Sequence, residues 1–110
     1  MIPAMDPVFE RLRESRLVAV VMIEDEADAV PLARALLAGG VTAMELALRT
    51  DVALEGLKQI VTEVPEMMAG AGTILKEEQV SAARDAGAAF GVAPGTNARI
   101  LAAAKDAGFP

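Results

Sequence analysis

A glutamate and an arginine lie near the end of one apolar segment, and this pair could take part in acid–base chemistry. Glu45 lies within residues 41–48, and strand alternation places it on the same face as Ala47 and Arg49. Burial raises the pKa of a carboxyl and suits it to proton transfer. The alternative is a structural ion pair between Glu45 and Arg49. Arg49 could equally hold a carboxylate through its two-pronged guanidinium, or mark the exit of the strand.

Two turns of small residues follow the next apolar segments. Residues 70–73 (Gly-Ala-Gly-Thr) would let the backbone approach a ligand, and Thr73 offers a hydroxyl. Residues 93–96 (Ala-Pro-Gly-Thr) have the composition of a turn, and Thr96 is predicted to cap the helix that follows. Residues 70–73 match neither a dinucleotide fingerprint nor a P-loop. A structural role for both turns, including Pro94, therefore stays open at this point.

The remaining reactive side chains limit the chemistry further. The chain has no histidine and no cysteine, so it lacks the usual general base, the usual metal ligands and any thiolate. Its lysines, Lys58, Lys76 and Lys105, lie in or at the start of helical patterns. None lies in an apolar strand, where burial could lower its pKa and make it nucleophilic. We expect all three lysines on solvated faces, and we expect no metal and no cofactor.

The charge balance and the apolar runs exclude several function classes. Ten basic and sixteen acidic residues give a net charge of −6, which argues against nucleic-acid binding but not against a small anionic substrate. No apolar run reaches the roughly 18 residues that span a bilayer. Residues 1–14 lack the basic start and apolar stretch of a signal peptide. We expect a soluble cytoplasmic protein that contacts no membrane.

Strand and helix patterns alternate along the chain. A short helix is predicted over residues 6–14, with Asp6 as its N-cap and Pro7 at its first position. The first apolar run, residues 17–23, does not alternate apolar with polar residues, which is typical of a strand covered on both faces. Strands are predicted over residues 17–23, 41–48, 67–71 and 89–93, and they alternate with helices over residues 26–38, 52–63, 76–86 and 97–107.

This alternation indicates an α/β protein with parallel strands and right-handed crossovers. Residues 1–110 are predicted to form one domain of about four βα units behind a short N-terminal helix. A doubly wound open sheet fits, and so does half of a TIM (β/α)₈ barrel, since a whole barrel takes at least about 200 residues. Residues 83–90 resemble residues 103–109, and the interrupted second copy implies a continuation past Pro110.

Four sequence blocks, taken in order, carry a resemblance to a known enzyme family. They are residues 38–41 (Ala-Gly-Gly-Val), 45–50 (Glu-Leu-Ala-Leu-Arg-Thr), 70–75 (Gly-Ala-Gly-Thr-Ile-Leu) and 93–95 (Ala-Pro-Gly). Their order and spacing resemble the 2-keto-3-deoxy-6-phosphogluconate (KDPG) aldolases, whose relatives act on 4-hydroxy-2-oxoglutarate. The resemblance implies a metal-free, usually trimeric (β/α)₈ barrel. It also implies reversible cleavage of KDPG to pyruvate and glyceraldehyde 3-phosphate through a lysine Schiff base.

The same resemblance implies roles for four residues. Glu45 matches the family's proton-shuttling carboxylate, Arg49 and Thr73 match residues that bind the pyruvate carboxylate, and Pro94 matches a proline that lines the pocket. The family's Schiff-base lysine lies on its sixth strand and its phosphate-binding loops come later. This chain therefore matches half of a site, and we expect it to be inactive alone.

Three hypotheses about function follow from these observations. The first is the N-terminal half of a Schiff-base (class I) aldolase of the KDPG type. The second is a structural half-barrel module that forms a homo-oligomer, because an open parallel sheet would leave bare strand edges and an apolar face. The third is an open flavodoxin-like domain that binds a small ligand.

Overall fold

Helices alternate with short parallel strands in the computed structural model, which describes residues 5–110. A 3₁₀ turn, Glu26–Asp28, precedes the second helix. The elements in chain order are α1 (Pro7–Ser15), β1 (Ala19–Val21), α2 (Ala29–Ala38), β2 (Ala43–Ala47), α3 (Ala53–Glu63), β3 (Met68–Gly72), α4 (Glu77–Asp85) and α5 (Ala98–Asp106). The predicted α/β class, the N-terminal helix and the parallel strands are confirmed.

The three strands form one parallel sheet in the order β1-β2-β3. Ala43 pairs with Met68 at one end of the β2–β3 ladder, and Ala47 pairs with Gly72 at the other. One face of this sheet carries the main core, because alternate residues of β2 and β3 point toward the helices. This face buries Met44, Leu46, Ala69 and Ala71 against helix residues that include Leu57, Ile60 and Val80.

The opposite face of the sheet is covered at the amino-terminal ends of the strands by α1. The N–H of Val8 donates to the Asp6 side chain at 2.9 Å, and Pro7 follows this N-cap as predicted. Val8 packs in a second buried cluster with Ala43, Met68 and Phe90. A local capping signal thus fixes the helix that closes this end of the sheet.

The face of the sheet opposite the main core is open near the carboxyl-terminal ends of the strands, which corrects one prediction. The apolar run at residues 17–23 was expected to be covered on both faces, yet Val20 is 71% exposed and Met22 is 50% exposed. The helices cover one side of β1, whereas α1 reaches only the amino-terminal end of the other. The strand itself is limited to Ala19–Val21, because its ladder to β2 has three residue pairs.

The predicted fourth strand, residues 89–93, is wrong as a regular strand although its position is right. The N–H of Ala89 donates to the Ala69 carbonyl and that of Val92 to the Ala71 carbonyl, both at 2.8 Å. Only the bridge between Ala71 and Gly91 has strand geometry. On the side away from β3, the described contact of this segment is a hydrogen bond from the Gly91 N–H to the Pro110 carbonyl. Pro94 and Gly95 then turn the chain away before a longer ladder can form.

The cap of α5 also differs from the prediction. Asn97, not Thr96, occupies the N-cap, and its side chain accepts the N–H groups of Arg99 at 2.9 Å and Ile100 at 3.3 Å. The helix begins at Ala98, so Thr96 lies one residue too early to reach the free N–H groups of the first turn.

This difference gives a stability prediction. Asn97→Ala removes both capping hydrogen bonds and should lower the free energy of unfolding by about 1 kcal/mol. Thr96→Ala, the adjacent control, should change it by less than about 0.5 kcal/mol. Urea denaturation followed by circular dichroism measures both variants. Equal losses in the two variants would contradict the assigned cap.

Within residues 5–110, no helix is both long and apolar enough to cross a bilayer.

Candidate active site

Glu45 reaches across the sheet toward the carboxyl end of β3. It is in register with Val20 on β1 and with Gly70 on β3. Its carboxyl group, however, lies over Gly72, two residues further along β3. A β-carbon built on Gly72 would collide with Oε1 of Glu45 and would lie 3.1 Å from its Cδ. The carboxyl ends of parallel strands are where α/β barrels and open sheets bind ligands.

The surroundings of Glu45 favour its neutral form. The side chain is half-buried, and this burial raises the pKa of the Glu45 carboxyl above its ordinary value. Within residues 5–110 the four ion pairs are all exposed, and neither an ion pair nor a hydrogen bond involves this carboxyl. A partly desolvated carboxyl without a fixed partner is suited to accept and return a proton.

The alternative of a Glu45–Arg49 ion pair is therefore wrong. β2 ends at Ala47, so Arg49 lies in the following turn, where it is exposed to solvent. Two hydrogen bonds fix this turn. The Leu48 N–H donates to the Gly72 carbonyl at 2.9 Å, and the Thr50 hydroxyl donates to the Ile23 carbonyl at 2.7 Å. Arg49 is thus held at the carboxyl edge of the sheet with its charge available to a ligand.

The raised pKa predicts how stability changes with pH. Because burial disfavours the charged form, the folded chain binds a proton at Glu45 more tightly than the unfolded chain. The stability gained from this tighter binding is fully present below the ordinary pKa of 4.5. It is lost as the pH rises through the folded-state value. At neutral pH the half-buried charge therefore costs stability, and Glu45→Gln should raise the melting temperature.

Thermal denaturation at neutral and acidic pH tests this prediction. The gain from Glu45→Gln should shrink as the pH falls below about 4, since Glu45 is then protonated in both states. Glu63→Gln, at an exposed site near the end of α3, is the control and should show no comparable gain. A stabilisation by Glu45→Gln that is equal at both pH values would contradict the proposed desolvation.

Thr73 follows β3 in an unusual backbone conformation. Its φ is 59°, in the left-handed region that a β-branched residue rarely adopts, and its side chain is half-buried. The next residue, Ile74, donates its N–H to the Val92 carbonyl at 3.1 Å, so this turn is bound to the fourth strand segment. Such strained residues concentrate at ligand sites, because the surrounding structure must hold them in place.

Pro94 lies beside a different opening. It lines a cleft of about 380 Å³ together with Ile74, Leu75, Gly95, Thr96, Asn97 and Ile100. Glu45, Arg49 and Thr73 do not line this cleft. The four predicted site residues therefore lie in or directly after successive strand segments, but the described part of the chain does not enclose them in one pocket.

The lysines lie where the sequence predicted. All three are exposed, and Lys58 is 3.7 Å from Glu55 on the outer surface of α3. No group of three potential metal-ligating side chains occurs in the described part of the chain. Two residues that help to build the site, Thr50 and Gly72, were named from the sequence only as members of the blocks 45–50 and 70–75, without a role of their own. A single threonine at a strand end does not predict a particular hydrogen bond. The contact of a glycine with a side chain on the neighbouring strand can be recognised only when the register of the two strands is known.

The parallel sheet carries α2 to α5 on one face and α1 at the amino-terminal ends of the strands, an arrangement typical of half of a (β/α) barrel. A family model described as KDPG and KHG aldolase matches residues 8–110. The chain therefore belongs to the KDPG and KHG aldolase family.

Individual relatives agree with this assignment. A 2-dehydro-3-deoxy-phosphogluconate aldolase of Treponema pallidum is 46% identical over 103 residues, which cover 94% of this chain and 49% of that protein. The 2-keto-3-deoxy-6-phosphogluconate aldolase of Zymomonas mobilis with 3-phosphoglycerate has a TM-score of 0.88 at 40% identity, over 96% of this chain and 50% of that one. A Legionella pneumophila KDPG aldolase, with pyruvate captured as a covalent carbinolamine, has a TM-score of 0.81 at 36% identity. The match covers 84% of this chain and 45% of that one.

The chain thus spans about half the length of the relatives it matches. These neighbours support the predicted half-barrel and give no support to a flavodoxin-like open sheet.

Proposed function

We propose that this chain is the N-terminal half of a class I aldolase that cleaves KDPG to pyruvate and glyceraldehyde 3-phosphate. The observation that carries the proposal is the half-buried Glu45 carboxyl, with its raised pKa, at the carboxyl edge of a sheet in a member of this family. The Legionella relative, in which pyruvate is captured as a covalent carbinolamine, supports pyruvate as one half of the substrate.

The proposed roles follow from the chemistry of each side chain. A Schiff base formed by a lysine would withdraw electrons from the substrate, so that the carbon–carbon bond breaks once a hydroxyl loses its proton. Glu45 would take up that proton and return one to the enamine carbon. Arg49 and Thr73 would bind the pyruvate carboxylate through charge-assisted hydrogen bonds, and Pro94 would line the pocket.

The chain alone is proposed to be inactive, because Lys58, Lys76 and Lys105 are exposed. A protein makes a lysine amine nucleophilic by desolvating it or by placing it beside an activating group, whereas these three residues are exposed to solvent. Incubation with pyruvate and borohydride, followed by intact-mass spectrometry, should leave the mass at 11.4 kDa. The Treponema relative, treated in parallel, should gain a reduced pyruvate adduct. An adduct on this chain would overturn the proposed inactivity, and peptide mapping would identify the lysine.

We further propose that the isolated chain self-associates as a homo-oligomer. The exposed Val20 lies in β1, at the edge of the sheet, and the exposed Met22 follows this strand, and apolar surface of this kind favours association. Light scattering at micromolar concentration should give a mass above that of one chain. Val20→Asp should shift the population toward monomer, whereas Thr62→Asp on the exposed surface of α3 should not. A monodisperse monomer of the unmodified chain would contradict this proposal.

A further inference from the structure

The space above Gly72 is filled by the Glu45 side chain. A β-carbon at this position would meet three successive atoms of that side chain, with Oε1 the closest, then Cδ at 3.1 Å and Cγ at 3.4 Å. These three nearest atoms all belong to Glu45, so a methyl group at position 72 would meet this side chain first.

The backbone of Gly72 does not itself require glycine. Gly72 is the last residue of β3, and it is not among the glycines of positive φ, which are Gly40, Gly87 and Gly108. An alanine could adopt its strand conformation without strain. Its steric contact with Glu45 is therefore the local feature that an added methyl group would disturb.

The space above a second glycine of β3, on the amino-terminal side of Gly72, is filled by an aromatic ring. Gly70 is opposite Glu45 in the ladder, and the Phe90 ring occupies the space above Gly70, with two ring atoms 2.5 Å from where a β-carbon would lie. The ring belongs to the buried cluster beneath α1. The Glu45 side chain extends over Gly72, toward the carboxyl edge.

The strands that flank Glu45 bring no competing charge. β1 (Ala-Val-Val), β3 (Met-Ala-Gly-Ala-Gly) and residues 89–92 contain no titratable side chain. Arg49, in the turn after β2, is the nearest charged residue along the chain. The position of the Glu45 carboxyl is therefore set by shape rather than by an ionic partner.

We propose that Gly72 is a positioning residue that holds the Glu45 carboxyl at the carboxyl edge of the sheet. Its role in catalysis rests on the proposed aldolase function, in which Glu45 moves the proton. A side chain at position 72 would push the carboxyl off the strand toward solvent, since the far end of a glutamate moves more easily than the backbone of a buried strand.

The test is a carbon-detected NMR titration of the Glu45 carboxyl in the 110-residue chain. In the unmodified chain, the Gly72 amide should shift together with this titration. In Gly72→Ala the chain should stay folded, and the pKa of Glu45 should fall toward that of an exposed glutamate. Gly95→Ala, which adds the same methyl group where no atom lies within 4 Å, should leave the titration unchanged.

Glu45→Asp gives a second test that leaves the backbone of β3 intact. It withdraws the carboxyl from Gly72 by one methylene, and the Gly72 amide should then cease to follow the titration. An unchanged Glu45 pKa in folded Gly72→Ala, or a Gly72 amide indifferent to Glu45 in the unmodified chain, would overturn the proposal. None of these measurements uses a substrate, so they succeed or fail independently of aldolase activity.

Discussion

Phe90→Ala should lower the free energy of unfolding by about 3–5 kcal/mol, the range for truncation of a buried phenylalanine. Phe90 is 3% exposed, and its ring packs over Gly70 within the cluster formed by Val8, Ala43 and Met68. The strands beneath the ring belong to a paired sheet and cannot collapse into the space it leaves. A domain of this size has about 5–15 kcal/mol of stability, so much of it would be lost.

Phe9→Ala is the matched control, because it removes the same atoms from a residue that is 44% exposed. Its loss should be about 1 kcal/mol, in proportion to the smaller apolar area removed from water on folding. Urea denaturation of the two variants and the parent chain measures the difference. Similar losses at positions 9 and 90 would show that the cluster under α1 does not stabilise the fold as described.

The parts of the fold that depend on local chemistry were predictable from the sequence. Asp6 followed by Pro7 predicts the start of α1, and the helical periodicity before Gly39 predicts the end of α2 to the residue. Alternating strand and helix patterns predict parallel strands, because the connections are long enough for crossover helices. These signals lie within a few residues of the structure they specify.

The parts that depend on distant contacts were not predictable. The exposure of Val20 depends on how far α1 reaches across the sheet, and an apolar sequence does not contain this information. The fourth strand segment depends on partners on both sides, and on its far side the described contact is the Pro110 carbonyl.

The candidate site divides in the same way. Glu45 could be identified because a charge inside an apolar strand is costly and demands an explanation. The absence of an ion pair between Glu45 and Arg49 could not be predicted, because it depends on β2 ending at Ala47 rather than at the predicted residue 48. The dependence of Glu45 on Gly72 appears only with the register of β2 and β3, in which Ala47 and Gly72 are partners.

The second large effect is expected in a chimera that joins this chain to the remaining half of the Treponema pallidum relative. That relative is 46% identical to this chain over 103 residues, which cover 49% of it, so this chain corresponds to the half that the chimera replaces. If Glu45, Arg49, Thr73 and Pro94 form half of an aldolase site, the chimera should cleave KDPG, whereas the chain alone should not. Pyruvate release in a coupled assay measures this activity.

Within the active chimera, Glu45→Gln should lower kcat by about 10²–10⁴-fold, the usual contribution of a general acid–base group. Glutamine keeps the shape of the side chain over Gly72 but cannot exchange the proton, so KM should change little by comparison. Glu63→Gln, which alters an exposed carboxyl on α3, controls for the loss of one negative charge. A Glu45→Gln chimera with undiminished kcat would remove Glu45 from the proton transfer, because a carboxyl that moves the proton cannot be replaced by an amide.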